Sequence, residues 1–345
     1  AYEISACHVG SEMCIRDSCN TILDEDWALL ALVGDPLRYN GAAPQKLSRV
    51  WASNGEQGRF IIDRNTLFKA MTRKKIQSSI IAAASPRLAA QVLGGDANSA
   101  IEKRLWRKLA PILRLDKPDP VAAWQVHCSD IRRRCQLLDE KGFSRLYFEG
   151  DGTDLWITPM KTRKWGSAVW TSPKGIEYVC NVPTEEVGIA PDFRETVGFM
   201  SCPIPSVIMG TKVEHAWFKF EKGKVVDYGA EKGKEALDSL LKTDEGAKYT
   251  GEAALVDFSS PISKSGLIFN NVLLDENASC HIALGNAYPP SYAEAYTTDQ
   301  LKEIGCNVSR IHEDFMIGSK HTSVYGIQAD GSREEIMHKG KFILE

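Results

Sequence analysis

Two hydrophobic textures divide the chain. In the first third, short apolar runs alternate with patterns of helical period. Residues 28–33 (ALLALV) form an apolar run closed by Gly34-Asp35-Pro36, and 58–62 (GRFII) form a second; both read as buried strands. Helices are predicted over 66–84, 86–92 and 100–113. In the last, Ile101, Leu105, Leu109 and Leu113 recur every fourth residue with basic residues between them. Alternating strands and helices predict an α/β layer. Asp116-Lys117-Pro118-Asp119-Pro120 interrupts any helix and marks a boundary. One more helix follows, with Trp124, Cys128, Ile131, Cys135 and Leu138 on one face and Gly142 at its end; His127 sits at the edge of that face.

Beyond Gly142 the period becomes that of strands. Residues 146–148 and 155–157 flank Gly150-Asp151-Gly152, a hairpin pattern. Residues 213–220 and 224–228 flank Lys222-Gly223, and Ile327 and Ile336 flank Ala329-Asp330-Gly331-Ser332. A single helix is predicted over 231–241. The expected architecture is an α/β N-terminal domain over 19–118 followed by a strand-rich α+β C-terminal domain over 119–345. Residues 1–18 (AYEISACHVGSEMCIRDS) lack both a clear period and a signal-peptide core. They resemble translated adapter sequence and are expected to be a non-native leader, with the first domain truncated at its start.

Composition narrows the function classes. The chain has 345 residues, 43% hydrophobic and 25% charged, with a formal net charge of −3, which argues against a nucleic-acid binder driven by a basic surface. No apolar run approaches the ~20 residues of a membrane span. Nine scattered cysteines with no Cys-x-x-Cys pair predict reduced thiols in a cytoplasmic protein. Cys280 adjoins His281, but small buried thiols account for such cysteines better than a nucleophile does.

The chemistry-bearing residues lie between 182 and 314. His312 and Asp314 are two apart in a strand-like segment, so both side chains face one side and Glu313 the other. Their apolar neighbours Ile311, Phe315, Met316 and Ile317 imply burial, and buried ionisable groups need partners. Glu185 and Glu186 are adjacent carboxylates; one suits a metal ligand and the other a general base, although acids in a helix's first turn explain them equally well. Glu252 enters the apolar strand of 253–256, and His281 lies beside an apolar run at 282–284. Tyr288 offers a phenol that can donate to a developing oxyanion or pack on Pro289-Pro290. Three carboxylates and two imidazoles exceed the three protein ligands of a mononuclear catalytic zinc and suit a two-metal site.

Four strings, NVPTEEV, TDEGAKYTGEAALV, DENASCHIALGNAYP and IHEDFMIGS, together with weaker similarity from about Asp26 onward, resemble the thermophilic metalloaminopeptidase family of the aminopeptidase T, aminopeptidase S and PepS type. The resemblance implies a metal-dependent aminopeptidase that hydrolyses the N-terminal peptide bond with water activated by two divalent ions (Zn, Co, Mn or Mg). It implies peptide substrates with a free N-terminus and a homodimer, with neither nucleic acid nor membrane as partner. The family's metal ligands fall on Glu186, Glu252, His281, His312 and Asp314, with Glu252 bridging, and its catalytic tyrosine on Tyr288. Glu186 and Asp314 are expected on one ion and His281 and His312 on the other. Glu185 is expected as general base by analogy with paired glutamates in other two-metal peptidases, and Glu276 as a partner for the substrate's α-amine. Gly188-Ile189, the segment before DENA, and Glu313 depart from the family pattern and bear on the shape of the substrate pocket. Another metallo-amidase or dipeptidase on the same scaffold, or a metal-stabilised binding protein, remain as alternatives.

Overall fold

The computed structural model describes residues 28–34, 76–161, 164–288 and 296–344. The expected leader over 1–18 and the strand over 58–62 lie outside the described residues.

Leu29–Val33 pairs in parallel with Ser78–Ala82, Leu29 opposite Ser78, and Asn181–Val182 adds in parallel on the other side of Ser78–Ala82. Residues 78–82 are therefore strand, where the helix over 66–84 was predicted; the rest of that helix up to residue 75 lies outside the described residues. A short run such as SSIIA does not distinguish a buried parallel strand from a buried helical turn, and pairing decides. Helix Pro86–Leu93 is capped by Ser85 and helix Ser99–Ile112 by Asn98, each side chain accepting a backbone N–H of the first turn. Helix Pro120–Lys141 starts with Asp119 as cap and Pro120 in the first turn, and ends at Gly142 in the left-handed region.

The rest of the described chain is built on two large antiparallel sheets, with two small two-stranded ones, Ser206–Ile208 with Thr211–Val213 and Val169–Thr171 with Glu177–Val179, beside them. The larger runs Lys224–Gly229, Ala216–Glu221, Val197–Cys202, Thr153–Ile157, Arg145–Gly150, Ser323–Ile327, Arg333–His338 and Lys341–Phe342. All three predicted hairpins are in it. Asp151-Gly152 and Lys222-Gly223 both have positive φ at both turn positions, the geometry that follows the right-handed twist of the strands. The helix predicted over 231–241 is observed as Lys234–Leu240.

The smaller sheet runs His312–Met316, His281–Gly285, Thr250–Val256 and Glu186–Ile189. Its two faces have opposite chemistry. Val187, Ile189, Ala253, Leu255, Ile282, Leu284 and Phe315 join the core with Leu146, Phe148, Leu155, Met200, Phe218 and Phe220 of the larger sheet. Phe315 meets Phe218 edge-on, with ring centroids 4.7 Å apart. The other face carries every predicted ligand. A second core joins Leu88, Leu105, Leu109 and Ile112 of the helices to Ile262, Phe269, Leu273, Leu274 and Ala278. Replacing the fully buried Phe218 with alanine would open a cavity between the sheets. It should cost roughly 3–5 kcal/mol, read as a lower midpoint in thermal or urea denaturation; a midpoint unchanged from the parent would refute this packing.

Candidate metal centre

Strand pairing brings the distant residues together. Ala254 lies opposite both His281 and Gly188, Ala283 opposite Asp314 and Glu252, Gly285 opposite His312, and Val256 opposite Glu186. With side chains alternating along each strand, Glu186, Glu252, His281, His312 and Asp314 emerge on one face. Glu313 falls on the other, as the two-residue spacing predicts.

Two glycines make room for this arrangement. The register shifts between Thr250 and Glu252. A Cβ on the intervening Gly251 would lie 2.5 Å from the Asn286 carbonyl oxygen, so the bulge that orients Glu252 needs glycine there. A Cβ on Gly188 would lie 2.4 Å from Glu252 Oε1; the carboxylate occupies the space that any larger residue would fill.

The imidazoles are oriented from behind. His312 Nδ1 is 2.7 Å from the Asn286 carbonyl oxygen and His281 Nδ1 3.3 Å from that of Ser279. A carbonyl only accepts, so each Nδ1 carries the hydrogen and each Nε2 faces the carboxylates. His281 Nε2 lies 3.1 Å from Glu186 Oε2 and 3.9 Å from Asp314 Oδ1. His312 Nε2 lies 3.4 Å from Glu252 Oε2 and 3.6 Å from Asp314 Oδ1. One ligand atom each from Glu252, His312 and Asp314 fall within 4.8 Å of one another. Glu186 Oε2 and Asp314 Oδ1 are buried without a hydrogen-bond partner, so the close approaches to His281 and His312 lack hydrogen-bond alignment. These are acceptors aimed at a common space, the arrangement a cation satisfies.

The electrostatics carry the same demand. Burial, then the Glu252 and Asp314 carboxylates, raise the pKa of Glu186 against the opposing pull of His281. The His312 imidazole, despite burial, is pushed up to about 10 by Asp314 and Glu252, and His281 is also raised well above the ordinary value against its burial, by Glu186, Asp314 and Glu252. Burial likewise opposes ionisation of Glu252, but His312 and then His281 outweigh it and pull that carboxyl down.

One further carboxylate belongs here. Glu276, buried in the turn Glu276–Ala278, is raised well above the usual range, first by burial and then by Glu186 and Asp314, with Glu252 adding to the effect. It lies in the field of the predicted ligand carboxylates, where a cation, whether a metal ion or a substrate ammonium, would be held. The signal in the sequence was an acid five residues before His281. Cys280 is buried and its thiol is pushed up to about 12 by burial, an inert group and not a nucleophile.

Tyr288 stands at the rim, 46% exposed, its ring 4.9 Å from that of His312. Desolvation, then Glu252 and Asp314, push its pKa above the ordinary phenol value, so it is a hydrogen-bond donor at neutral pH.

The structure does not bring Glu185 into this cluster. Its Oε1 accepts from Arg114 Nη2 at 2.8 Å, and Oε2 is 3.6 Å from His127 Nε2. Alternation along the extended segment turns it to the side opposite Glu186. His127, expected at the edge of its helix face, is largely buried and donates from Nε2 to the Thr184 carbonyl at 2.7 Å. Burial lowers its pKa, partly offset by Glu185.

Comparison with known proteins identifies the family. The thermophilic metalloprotease (M29) family matches residues 12–342. Aminopeptidase T of Thermus aquaticus is 37% identical over 321 residues, covering 93% of this chain and 77% of that protein. Aminopeptidase PepS of Streptococcus thermophilus is 35% identical, covering 90% of this chain and 74% of that protein. The solved structure of wild-type AmpT from Thermus thermophilus superposes with a TM-score of 0.85 at 32% identity, covering 98% of this chain and 82% of that one. A clustered set of buried carboxylates and imidazoles on one sheet face, and these relatives, lead to one conclusion: the chain belongs to the M29 thermophilic metalloprotease family and is a metal-dependent aminopeptidase.

Proposed function

We propose that the cluster holds two divalent ions and that the enzyme releases single residues from peptides with a free N-terminus. The observation that carries this is the convergence of five sequence-distant ligands on one sheet face, with Glu186 Oε2 and Asp314 Oδ1 buried and unbonded. Charge favours two ions over one. As ligands, Glu186, Glu252, Glu276 and Asp314 would each be ionised, and two divalent cations would balance those four charges where one would not.

The distances support a division of ligands different from the sequence expectation. His312 lies beside Glu252 and His281 beside Glu186, with Asp314 Oδ1 within 4 Å of both imidazoles, so the two histidines would serve different ions, with Glu276 as a further donor. Glu252, pulled down by both histidines against its burial, would serve as the bridging carboxylate. Carboxylate-and-imidazole donors accept zinc, cobalt, manganese or magnesium. When bound, such ions lower the pKa of a coordinated water to about 7 and polarise the scissile carbonyl. The protein's share is orientation: the Asn286 and Ser279 carbonyls fix the imidazoles, and the Tyr288 phenol donates to the oxygen that gains charge as the carbonyl is attacked.

Exhaustive chelation should bring hydrolysis of aminoacyl p-nitroanilides to background, and zinc or cobalt should restore it. Turnover by fully demetallated protein would exclude the reading. Asp314→Asn should reduce bound metal, measured by plasma emission, from about two ions per chain to one or fewer; undiminished content would remove Asp314 from the ligand set. Tyr288→Phe should leave metal content intact and lower kcat by roughly 10²–10³-fold, with KM little changed. A full-speed variant would show that the phenol takes no part.

A further inference from the structure

We propose that Arg114, just past the end of a helix, is a positioning residue that holds the Glu186 ligand in place through Glu185. The proposal rests on reading the cluster as a metal centre. It gives Glu185 a role other than general base.

The argument begins with an unfavourable backbone. Arg114 follows Leu113, the C-cap of helix Ser99–Ile112, with φ 58°, the left-handed conformation that glycine adopts freely and other residues resist. The turn closes as glycine-ended helices do, with Leu115 N–H donating to the Ala110 carbonyl at 2.7 Å. Arginine at such a position is explained by what its side chain reaches. Its guanidinium lies 4.6 Å over the Trp124 ring and donates from Nη2 to Glu185 Oε1 at 2.8 Å. Trp124 is fixed in turn by a hydrogen bond from Nε1 to the Leu113 carbonyl at 3.0 Å. Only 12% of the Arg114 side chain and 9% of the Glu185 side chain are exposed, so solvent screens the pair little.

The backbone around Glu185 is gripped at two more points. His127 Nε2 donates to the Thr184 carbonyl at 2.7 Å, and Glu185 N–H donates to Asn277 Oδ1 at 2.7 Å. Asn277 is fully buried, and its Nδ2 lies within hydrogen-bond distance of the Leu273 carbonyl (3.1 Å) and Glu276 Oε1 (3.3 Å). The peptide entering Glu186 is thereby tied to two helices on one side and to the turn bearing Glu276 on the other. Residues that orient metal ligands from outside typically change metal affinity 10–100-fold when removed.

The test compares Glu185→Gln, Arg114→Gly and the double variant R114G/E185Q with the parent. Co²⁺ alone is titrated into demetallated protein against a chromophoric chelator. Arg114→Gly removes the side chain while suiting the left-handed backbone, and the double variant leaves no charge buried alone. The double variant should melt, as demetallated protein, within a few degrees of the parent, yet bind its weaker Co²⁺ about 10–100-fold less tightly. The two single variants should be non-additive, because they break one contact. At saturating Co²⁺, kcat should return to within a few-fold of the parent with KM unchanged, and Arg114→Lys should lie between parent and Arg114→Gly. Glu185→Gln that binds Co²⁺ like the parent but loses turnover beyond 100-fold at saturating metal would overturn the proposal and make Glu185 a participant in the reaction. Unchanged affinity and turnover in all variants would overturn it too. A parent chain that takes up no Co²⁺ would instead sink the reading of the site, and this proposal with it.

Discussion

The constraint on which the structure depends is like charge held close together. Glu252 and Asp314 place carboxylate oxygens within 4.8 Å of each other, with Glu186 and Glu276 adding to the same field. Two unit charges at that separation repel by roughly 3–4 kcal/mol at an effective dielectric of about 20. A typical domain is stable by only about 5–15 kcal/mol. Such a cluster is tolerated because positive charge is at hand, from the two imidazoles and, in the proposed working state, from divalent cations. The oriented histidines, the glycines at 188 and 251 and the buried unbonded oxygens serve this one requirement.

The scaffold achieves this by dividing the chemistry of one small sheet. Its inner face, apolar apart from Glu313 at one end, packs on the eight-stranded sheet through contacts such as Phe315 with Phe218. That packing fixes the strands, and strand alternation then aims the ligands outward without loop ordering at the moment of binding. Helical elements close over the same region: the core containing Leu105, Leu109 and Ile112 also contains Leu273, Leu274 and Ala278, beside Glu276. The catalytic face and the helical part of the chain are thus energetically linked.

Much of this was legible from the residues. Asp151-Gly152 and Lys222-Gly223 announced hairpins because few residue pairs adopt positive φ twice in succession. His312 and Asp314 declared a shared face because strand period is two. What escaped was set by long-range pairing. Residues 78–82 are strand because Leu29–Val33 and Asn181–Val182 flank them, which no local pattern shows. Glu185 and Glu186 look interchangeable in the chain, and the partners that separate them, Arg114 just past one helix and His127 within the next, lie over fifty residues away. Glu276 was visible as an acid, but its closeness to the ligands depends on how the turn at 276–278 docks.

The central claim is that the carboxylate and imidazole face forms a two-ion site. The most direct measurement is an equilibrium titration of demetallated protein with Co²⁺, followed by its visible absorption. The account predicts a break at two ions per chain, with the bands of six- or five-coordinate cobalt in an oxygen-rich, imidazole-containing environment. Saturation at a single ion, or no spectral change at all, would contradict it.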